Sequence, residues 1–323
     1  MAESFLFVAA DKDIRLDSFL AERTGRSRMF VKRQIEKGHI AVNLVKVAKP
    51  SLRLKPGDTV GGHFEEEALS LQAVEGALDI LYEDEHFIII NKPQGLVVHP
   101  ALGHRSETLV HYLLHHLRHC SNYGALEGPR PGIVHRLDRG TSGVMVIAKD
   151  SLSLEKLARQ FHDRTVAKEY ESIVYGRTKE RGSFASAIGR HVSRREKMSS
   201  KTRRAREAFT GWEKIGDYAH FSHLLLKPKT GRTHQLRVHL SENGTPIVGD
   251  RTYGPSRPQV TGLSPVIGEV LDTTDYPFLH ARSLTLNHPD SGKTMTFTAP
   301  RPDRFSHFLT LLMHFDKRMD AGD

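Results

Sequence analysis

The stretch "GIVHRLDRGTSGVMVIAKD" runs from Gly132 to Asp150. It opens on a strand-like pair, Ile133-Val134, and breaks into His135-Arg136-Leu137-Asp138. It then passes through Gly140-Thr141-Ser142-Gly143 and enters a second apolar run. A turn rich in glycine and hydroxyl residues suits two chemistries. Its backbone amides can cradle a phosphate, or it can hold the one carboxylate, Asp138, at a strand end. The stretch alone leaves both open.

At 323 residues the chain has room for one large domain or two. Its apolar content of 38% can build a core, and no segment approaches the roughly 18 consecutive apolar residues of a membrane span. The run Phe5 to Ala10 is too short for a signal-peptide core and meets Asp11-Lys12-Asp13 at once. A cytoplasmic protein is expected. The single cysteine, Cys120, excludes an intrachain disulfide and a thiolate zinc knuckle. A net charge of +9 points to a polyanionic partner, most often nucleic acid.

The first sixty residues read as a separate module. Leu16, Phe19 and Leu20 fall at i, i+3 and i+4, which predicts a short helix with Asp13 as N-cap and Gly25 just past its end. A second helix is expected from Ser27 to before Gly38, with Val31 and Ile35 facing the core. Arg28, Lys32 and Arg33 lie off that apolar stripe and form a basic face. Short strands are expected at Ile40–Val42 and Val45–Val47. Residues 63–79, with Glu65-Glu66-Glu67, read as a linker.

From Ile80 to about residue 315 short strands alternate with turns. Strand-like runs occur at Phe87–Ile90, Glu171–Tyr175, His220–Leu226, Gln235–Leu240 and Leu284–Leu286. Helical periodicity appears at Leu109–Leu117 and Leu152–Phe161. Without regular β-α-β alternation, the pattern predicts an α+β fold.

Several chemistries fall away. There is no dinucleotide-binding glycine motif and no nucleophile elbow. Ser291-Gly292-Lys293-Thr294 resembles the tail of a phosphate-binding loop, but residue 287 is Asn where that motif needs Gly. The alternating flanks predict a hairpin turn there. His111, His115 and His119 stack at helical spacing, yet no glutamate or partner ligand completes a metal site. No metal and no cofactor are expected.

Polar residues set at strand ends recur in three more places. These are Asn91 to Pro100, Lys168-Glu169-Tyr170, and Gly231 to Gly254, which packs Arg232, His234, Arg237 and His239 into eight residues. On a strand, Arg237 and His239 would share one face with Gln235.

Two resemblances emerge from these residues. "RLDSFLAERTGRSRMFVKRQIEKGHIAVN" with "KPSLRLKPGDTV" resembles the S4-type RNA-binding domain, over residues 14–62. It departs where that domain usually has Gly after the hairpin Asn, since Leu44 follows Asn43 here. "YEDEHFIIINKPQGLVVHP", "RPGIVHRLDRGTSGVMVIAKD", "KEY", "KTGRTHQLRVHL" with "GTPIVGDRTYG", and "FLHARSLTLNHP" resemble the RluA/RluD-type pseudouridine synthases. Those enzymes detach uracil from ribose in RNA and rejoin it through carbon.

The resemblance implies a central mixed, largely antiparallel sheet over residues 80–315, and roles for particular positions. Asp138 matches the catalytic aspartate, Tyr170 the tyrosine that stacks on the target base, and Arg237 the arginine paired with the aspartate. Arg136 matches the arginine that helps replace the flipped base, and Leu279 an apolar residue beside the site. The segment 190–206 carries eight Lys/Arg against one Glu. With an RNA substrate, Arg194 and Arg195 there are expected to touch backbone.

The expected partner is RNA, with 23S ribosomal RNA favoured by the accompanying S4-type module and transfer RNA as runner-up. A monomer is expected. Two other classes stay in view: a non-catalytic RNA-binding ribosome-assembly factor, and a metal-dependent RNA hydrolase built on the histidine cluster.

The chemistry is consistent with the residues. Moving a base from nitrogen to carbon linkage needs no redox change, and a carboxylate can hold sugar or base covalently meanwhile. A guanidinium keeps such a carboxylate ionised against the effect of burial. Flipping the nucleotide costs a few kcal/mol, which stacking on an aromatic ring offsets. On this reading the Gly132–Asp150 turn mounts a carboxylate.

Overall fold

A computed structural model describes residues 3–10, 13–65, 71–100, 106–120, 123, 126, 130–194, 196–202, 204–255, 260 and 262–320, side chains of 3 and 316–320 excepted. Its contacts divide the chain into two compact units, Met1–Ser70 and Leu71–Asp323.

In the first unit, strands β1 (Glu3–Val8), β3 (Ile40–Val42), β4 (Val45–Lys46) and β6 (Thr59–Phe64) form an antiparallel sheet in the order β1-β6-β3-β4. The short strands β2 (Ile14–Arg15) and β5 (Arg53–Leu54) pair separately. Helices α1 (Leu16–Thr24) and α2 (Arg28–Glu36) bury Leu16, Phe19, Leu20, Val31 and Ile35 together with Ile40, Val60 and Phe64.

Ser27 caps α2 by accepting the Phe30 amide, and Gly25 ends α1 in the left-handed region, φ 67°. Asp13 is not the cap of α1. The β2–β5 pairing carries the chain two residues further, so Arg15 takes that position and its side chain caps nothing. Asp17, inside the first turn, accepts from Arg15 and Arg28 instead. At the β3–β4 turn Asn43 and Leu44 have φ 51° and 67°. Asn43 is pinned by donating to Asp58 and accepting the Thr59 amide, so the turn forms with a leucine where glycine would be easier.

The second unit is built on a nine-stranded sheet. Its strands are β7 (Ile80–Glu83), β8 (Phe87–Lys92), β9 (Ser142–Ala148), β10 (Ala167–Tyr175), β11 (Arg181–Ala185), β14 (Phe209–Tyr218), β15 (Phe221–Pro228), β16 (Leu279–Asn287) and β17 (Thr294–Thr298). They run in the order β11-β14-β15-β10-β16-β9-β8-β7, with β17 also on β16. Every pairing is antiparallel except β9 with β16. A small ladder joins β12 (Gly189–Arg190) to β13 (Met198–Ser199). The fold is α+β, with a mixed, mostly antiparallel sheet.

Helices α3 (Leu109–His116), α4 (Ser151–His162), α5 (Gln235–Glu242), α6 (Pro265–Thr273) and α7 (Asp303–Asp320) cover the sheet's apolar residues. The fully buried runs of β8 and β9 explain why they read as continuous apolar stretches. Ile133-Val134 is not a regular strand; Ile133 makes a single bridge with Ile147. Ser291 to Lys293 lie between the paired strands β16 and β17, with Gly292 at φ 70°.

The expected strand over Gln235–Leu240 is helix α5. Leu236 and Leu240, four apart, enter one core cluster, and Val238 enters another. That 3.6-residue period, in a run of good helix formers, outweighs the apparent alternation.

Candidate active site

Three strands that are neighbours in the sheet, β10, β16 and β9, bring the site together. Tyr170 lies on β10, Leu279 begins β16, and the Asp138 turn leads into β9. The β10–β16 register shifts between Glu169 and Tyr170, a bulge that re-aims the tyrosine.

Each residue after Asp138 has a task in fixing it. The Thr141 amide donates to the Asp138 carbonyl at 3.0 Å. Ser142 pairs with His280 in the parallel ladder, and its hydroxyl meets His280 Nδ1 at 2.9 Å. Gly143 has φ 114°, and a Cβ there would lie 2.1 Å from the Ala281 carbonyl oxygen. From the other side Gln94 donates to the carbonyls of Gly140 and Pro277 at 2.9 and 3.0 Å. The turn is bolted to β16 and to the loop after β8.

Asp138, Tyr170, Arg237, Arg136 and Leu279 line one cleft of about 120 Å³. Arg237 Nη1 stands 3.4 Å from Asp138 Oδ2. The same guanidinium grips the buried Asp250 through Nε and Nη2 at 2.6 and 2.7 Å, and it lies 4.9 Å over the Tyr253 ring. Asp250 is itself oriented by the amides of Thr252 and Tyr253. Burial works against the arginine's charge, but its bonds to Asp250 outweigh that and raise its pKa. Burial, with the Asp138 charge, raises the Tyr170 hydroxyl and keeps it neutral. Leu279 is buried and Arg136 exposed at the rim.

Being helical, α5 does not put Arg237 and His239 on one face. Arg237 enters the site, whereas His239 turns away to Thr210 and the Ser186 carbonyl. Gln235 is structural as well: it bonds Thr230, Arg232, Phe209 and Thr210 and fixes the start of the helix.

A second cleft of about 620 Å³ shares Arg136, Tyr170, Pro228, Thr230, Gly231 and Arg232 with the first. Arg130, Arg164, Lys168, Arg206 and Lys229 line it, and among the described residues no carboxylate does. His99 and His135 are among its walls. Burial, helped by Arg130 and Arg136, pushes His99 down to about 4, and burial with Lys168 pushes His135 down to about 3. These imidazoles are neutral at physiological pH.

Arg28, Lys32 and Arg33 are exposed on α2 of the first unit, and Arg194 is exposed in the second. Arg28 is held by Asp17 at 3.0 Å. Arg195 lies outside the described residues. The histidine cluster is dispersed: His111 Nδ1 accepts the Thr108 amide at the start of α3, and His116 pairs with Glu83. Among the described residues no three His, Cys, Asp or Glu side chains are grouped to hold a metal ion. No described helix is long and apolar enough to cross a membrane.

Sequence reasoning missed Asp250, Tyr253 and Lys92. Lys92 is fully buried, donates to the carbonyls of Pro93 and Leu96, and is pushed down to about 7 by burial. Asp250 and Tyr253 stood in the quoted GDRTYG, but nothing local marks them as partners of residues elsewhere in the chain.

A carboxylate on a clamped turn, an arginine, a neutral tyrosine and an apolar wall form a small cleft that opens beside a groove rich in cations, an arrangement suited to an enzyme acting on a polyanion. Known proteins agree with that class. The profile of the RNA pseudouridylate synthase family matches residues 86–242, and that of the S4 domain residues 14–60. An uncharacterized RNA pseudouridine synthase of Synechocystis is 40% identical over 311 residues, 95% of this chain and 90% of that one. The ribosomal large subunit pseudouridine synthase D of Vibrio cholerae is 36% identical over 312 residues, 96% of this chain and 94% of its own. The solved structure of human RNA pseudouridylate synthase domain containing 4 superposes with a TM-score of 0.58 at 28% identity, covering 73% of this chain and 93% of that chain. The chain belongs to the RNA pseudouridine synthase family, isomerases that act on uridine in RNA, and it carries an S4 domain at its N-terminus.

Proposed function

We propose that the chain converts uridines of 23S ribosomal RNA to pseudouridine with Asp138 as nucleophile. The observation that carries the RNA reading furthest is the cationic groove that opens beside the Asp138 cleft, with no carboxylate among the described residues that line it. Its charges suit phosphates flanking one uridine, while the smaller cleft suits the flipped base.

Asp138 holds sugar or base covalently while the bond from N1 to the ribose breaks. The base turns, and its C5 bonds to the same ribose carbon as the bond to Asp138 breaks, C5 losing a proton as N1 gains one. Arg237 sets a cation beside the carboxylate, Tyr170 stacks on the base, Leu279 closes the apolar wall, and Arg136 fills the gap left in the RNA. Arg28, Lys32 and Arg33 of the S4 unit and Arg194 and Arg195 contact backbone.

The choice of 23S RNA is supported by the V. cholerae relative, whose name places it on the large ribosomal subunit. The test offers 23S and transfer RNA transcripts separately, with no added cofactor. Pseudouridine is mapped by carbodiimide blocking of primer extension. New stops are expected on 23S RNA. Stops on transfer RNA alone would overturn the substrate, and none on either would overturn the activity for these RNAs.

A further inference from the structure

Asp138 has a second neighbour besides Arg237. His234 Nε2 lies 3.8 Å from Asp138 Oδ2, longer than a hydrogen bond but within electrostatic reach. His234 occupies the N-cap of α5, where Ser, Thr, Asp or Asn would ordinarily cap, and its side chain caps nothing. Its backbone is left-handed, φ 55° and ψ 20°, a region that costs a non-glycine residue about 1 kcal/mol or more. The histidine therefore does nothing for the cap itself.

The ring is held from behind. His234 Nδ1 is 2.7 Å from the Tyr253 hydroxyl, and that oxygen also accepts the Met198 amide at 2.7 Å. A phenol has one proton to give. With Met198 donating to the oxygen, the tyrosine's own proton is free to go to Nδ1; on that assignment the ring's proton is on Nε2, facing Asp138. Burial, with Arg237 and Arg136 nearby, depresses the His234 pKa against the pull of Asp138 and Asp250. The lowered pKa favours the neutral imidazole, whose N–H then faces Oδ2 from beyond hydrogen-bond distance.

Both neighbours of the carboxylate, Arg237 at 3.4 Å and His234 at 3.8 Å, stand on Oδ2. Oδ1 has no hydrogen bond among the described residues. A neutral N–H facing Oδ2 orients the group without placing a second full charge beside Arg237.

We infer that His234 is a positioning residue that holds Asp138 by Oδ2 and leaves Oδ1 for the reacting atom. Tyr253 acts through it by fixing the tautomer. This rests on the reading of Asp138 as nucleophile.

The test measures single-turnover rate constants and RNA affinities for His234→Asn, Tyr253→Phe and the double variant, with Asp138→Asn alongside. Asn tolerates the left-handed backbone, and Tyr253→Phe keeps the ring under Arg237. His234→Asn is expected to slow turnover about 10- to 100-fold, as loss of an orienting partner does elsewhere, with RNA affinity within about twofold. Tyr253→Phe should slow it less, and the double variant no more than His234→Asn alone, because the two act in series.

Turnover by His234→Asn at the wild-type rate, losses confined to affinity, or losses that multiply in the double variant would each overturn the inference. If His234→Asn lowers the melting temperature, His234→Gln is read by the same criteria. Activity surviving in Asp138→Asn would instead strike at the nucleophile itself.

Discussion

Arg237 gives its fork to Asp250, at 2.6 and 2.7 Å, and reaches Asp138 with one nitrogen at 3.4 Å. The arginine is held ready by one carboxylate and used on the other. That arrangement keeps a cation beside Asp138 without a bidentate pair to it, which leaves the carboxylate open for the nucleophilic role proposed for it.

Asp250 should therefore matter as much as its visible partner. Asp250→Asn frees the fork to turn onto Asp138, and single turnover is expected to slow by about 10- to 100-fold. Asp250→Ala leaves the buried arginine without its main partner and should cost about 3–5 kcal/mol in urea unfolding. Wild-type turnover in Asp250→Asn would contradict this account.

Gly143 is where the Asp138 turn meets β16. A methyl there meets the Ala281 carbonyl oxygen at 2.1 Å, at a φ of 114°. Gly143→Ala should cost about 3 kcal/mol or more from clash and strain together. Denaturant midpoints check the value; a change below about 1 kcal/mol would mean the turn is looser than described.

Behind Tyr170, on the other side of β10, Glu171 is buried against His223, Arg301 and Arg282. Burial alone would raise its carboxyl, but hydrogen bonds from His223 and Arg301 overcome it and pull the pKa down to about 2. The unfolded value is about 4.3. Between the two the unfolded chain binds more protons, so this stabilisation is complete above about pH 4.3 and is lost as pH falls toward 2. Urea midpoints from about pH 5 to 3 should fall more steeply for the wild type than for Glu171→Gln. Parallel slopes would contradict the assignment.

On the S4 unit, Lys32 and Arg33 are exposed, and Lys32's partner is another exposed side chain, Glu36, at 3.6 Å. Such surface pairs yield readily to a better anion. Lys32→Ala with Arg33→Ala should weaken RNA binding and reduce the slope of log affinity against log salt by about 2. An unchanged slope would remove these residues from the interface.

Much of this was legible because it is local. Ser27 before an i, i+4 apolar pair predicts the cap of α2, and the apolar run at Phe87 predicts β8. The ordered motifs around Asp138, Tyr170 and Arg237 point to a shared site, and the three line one cleft. What escaped depends on residues far apart in sequence. Arg237 meets Asp138 across 99 positions, and neither Asp250 nor Tyr253 has a flank that signals its partner. The strand expected at Gln235 failed because alternation over six residues resembles a short amphipathic helix, and only the core shows which period is buried.

The central claim is that one carboxylate, Asp138, performs the isomerisation. Its most direct test is pseudouridine formed per RNA molecule in a single turnover by Asp138→Asn, with RNA affinity measured in parallel. The account predicts no product above background and binding within about twofold of wild type. Product formation at the wild-type rate would contradict it.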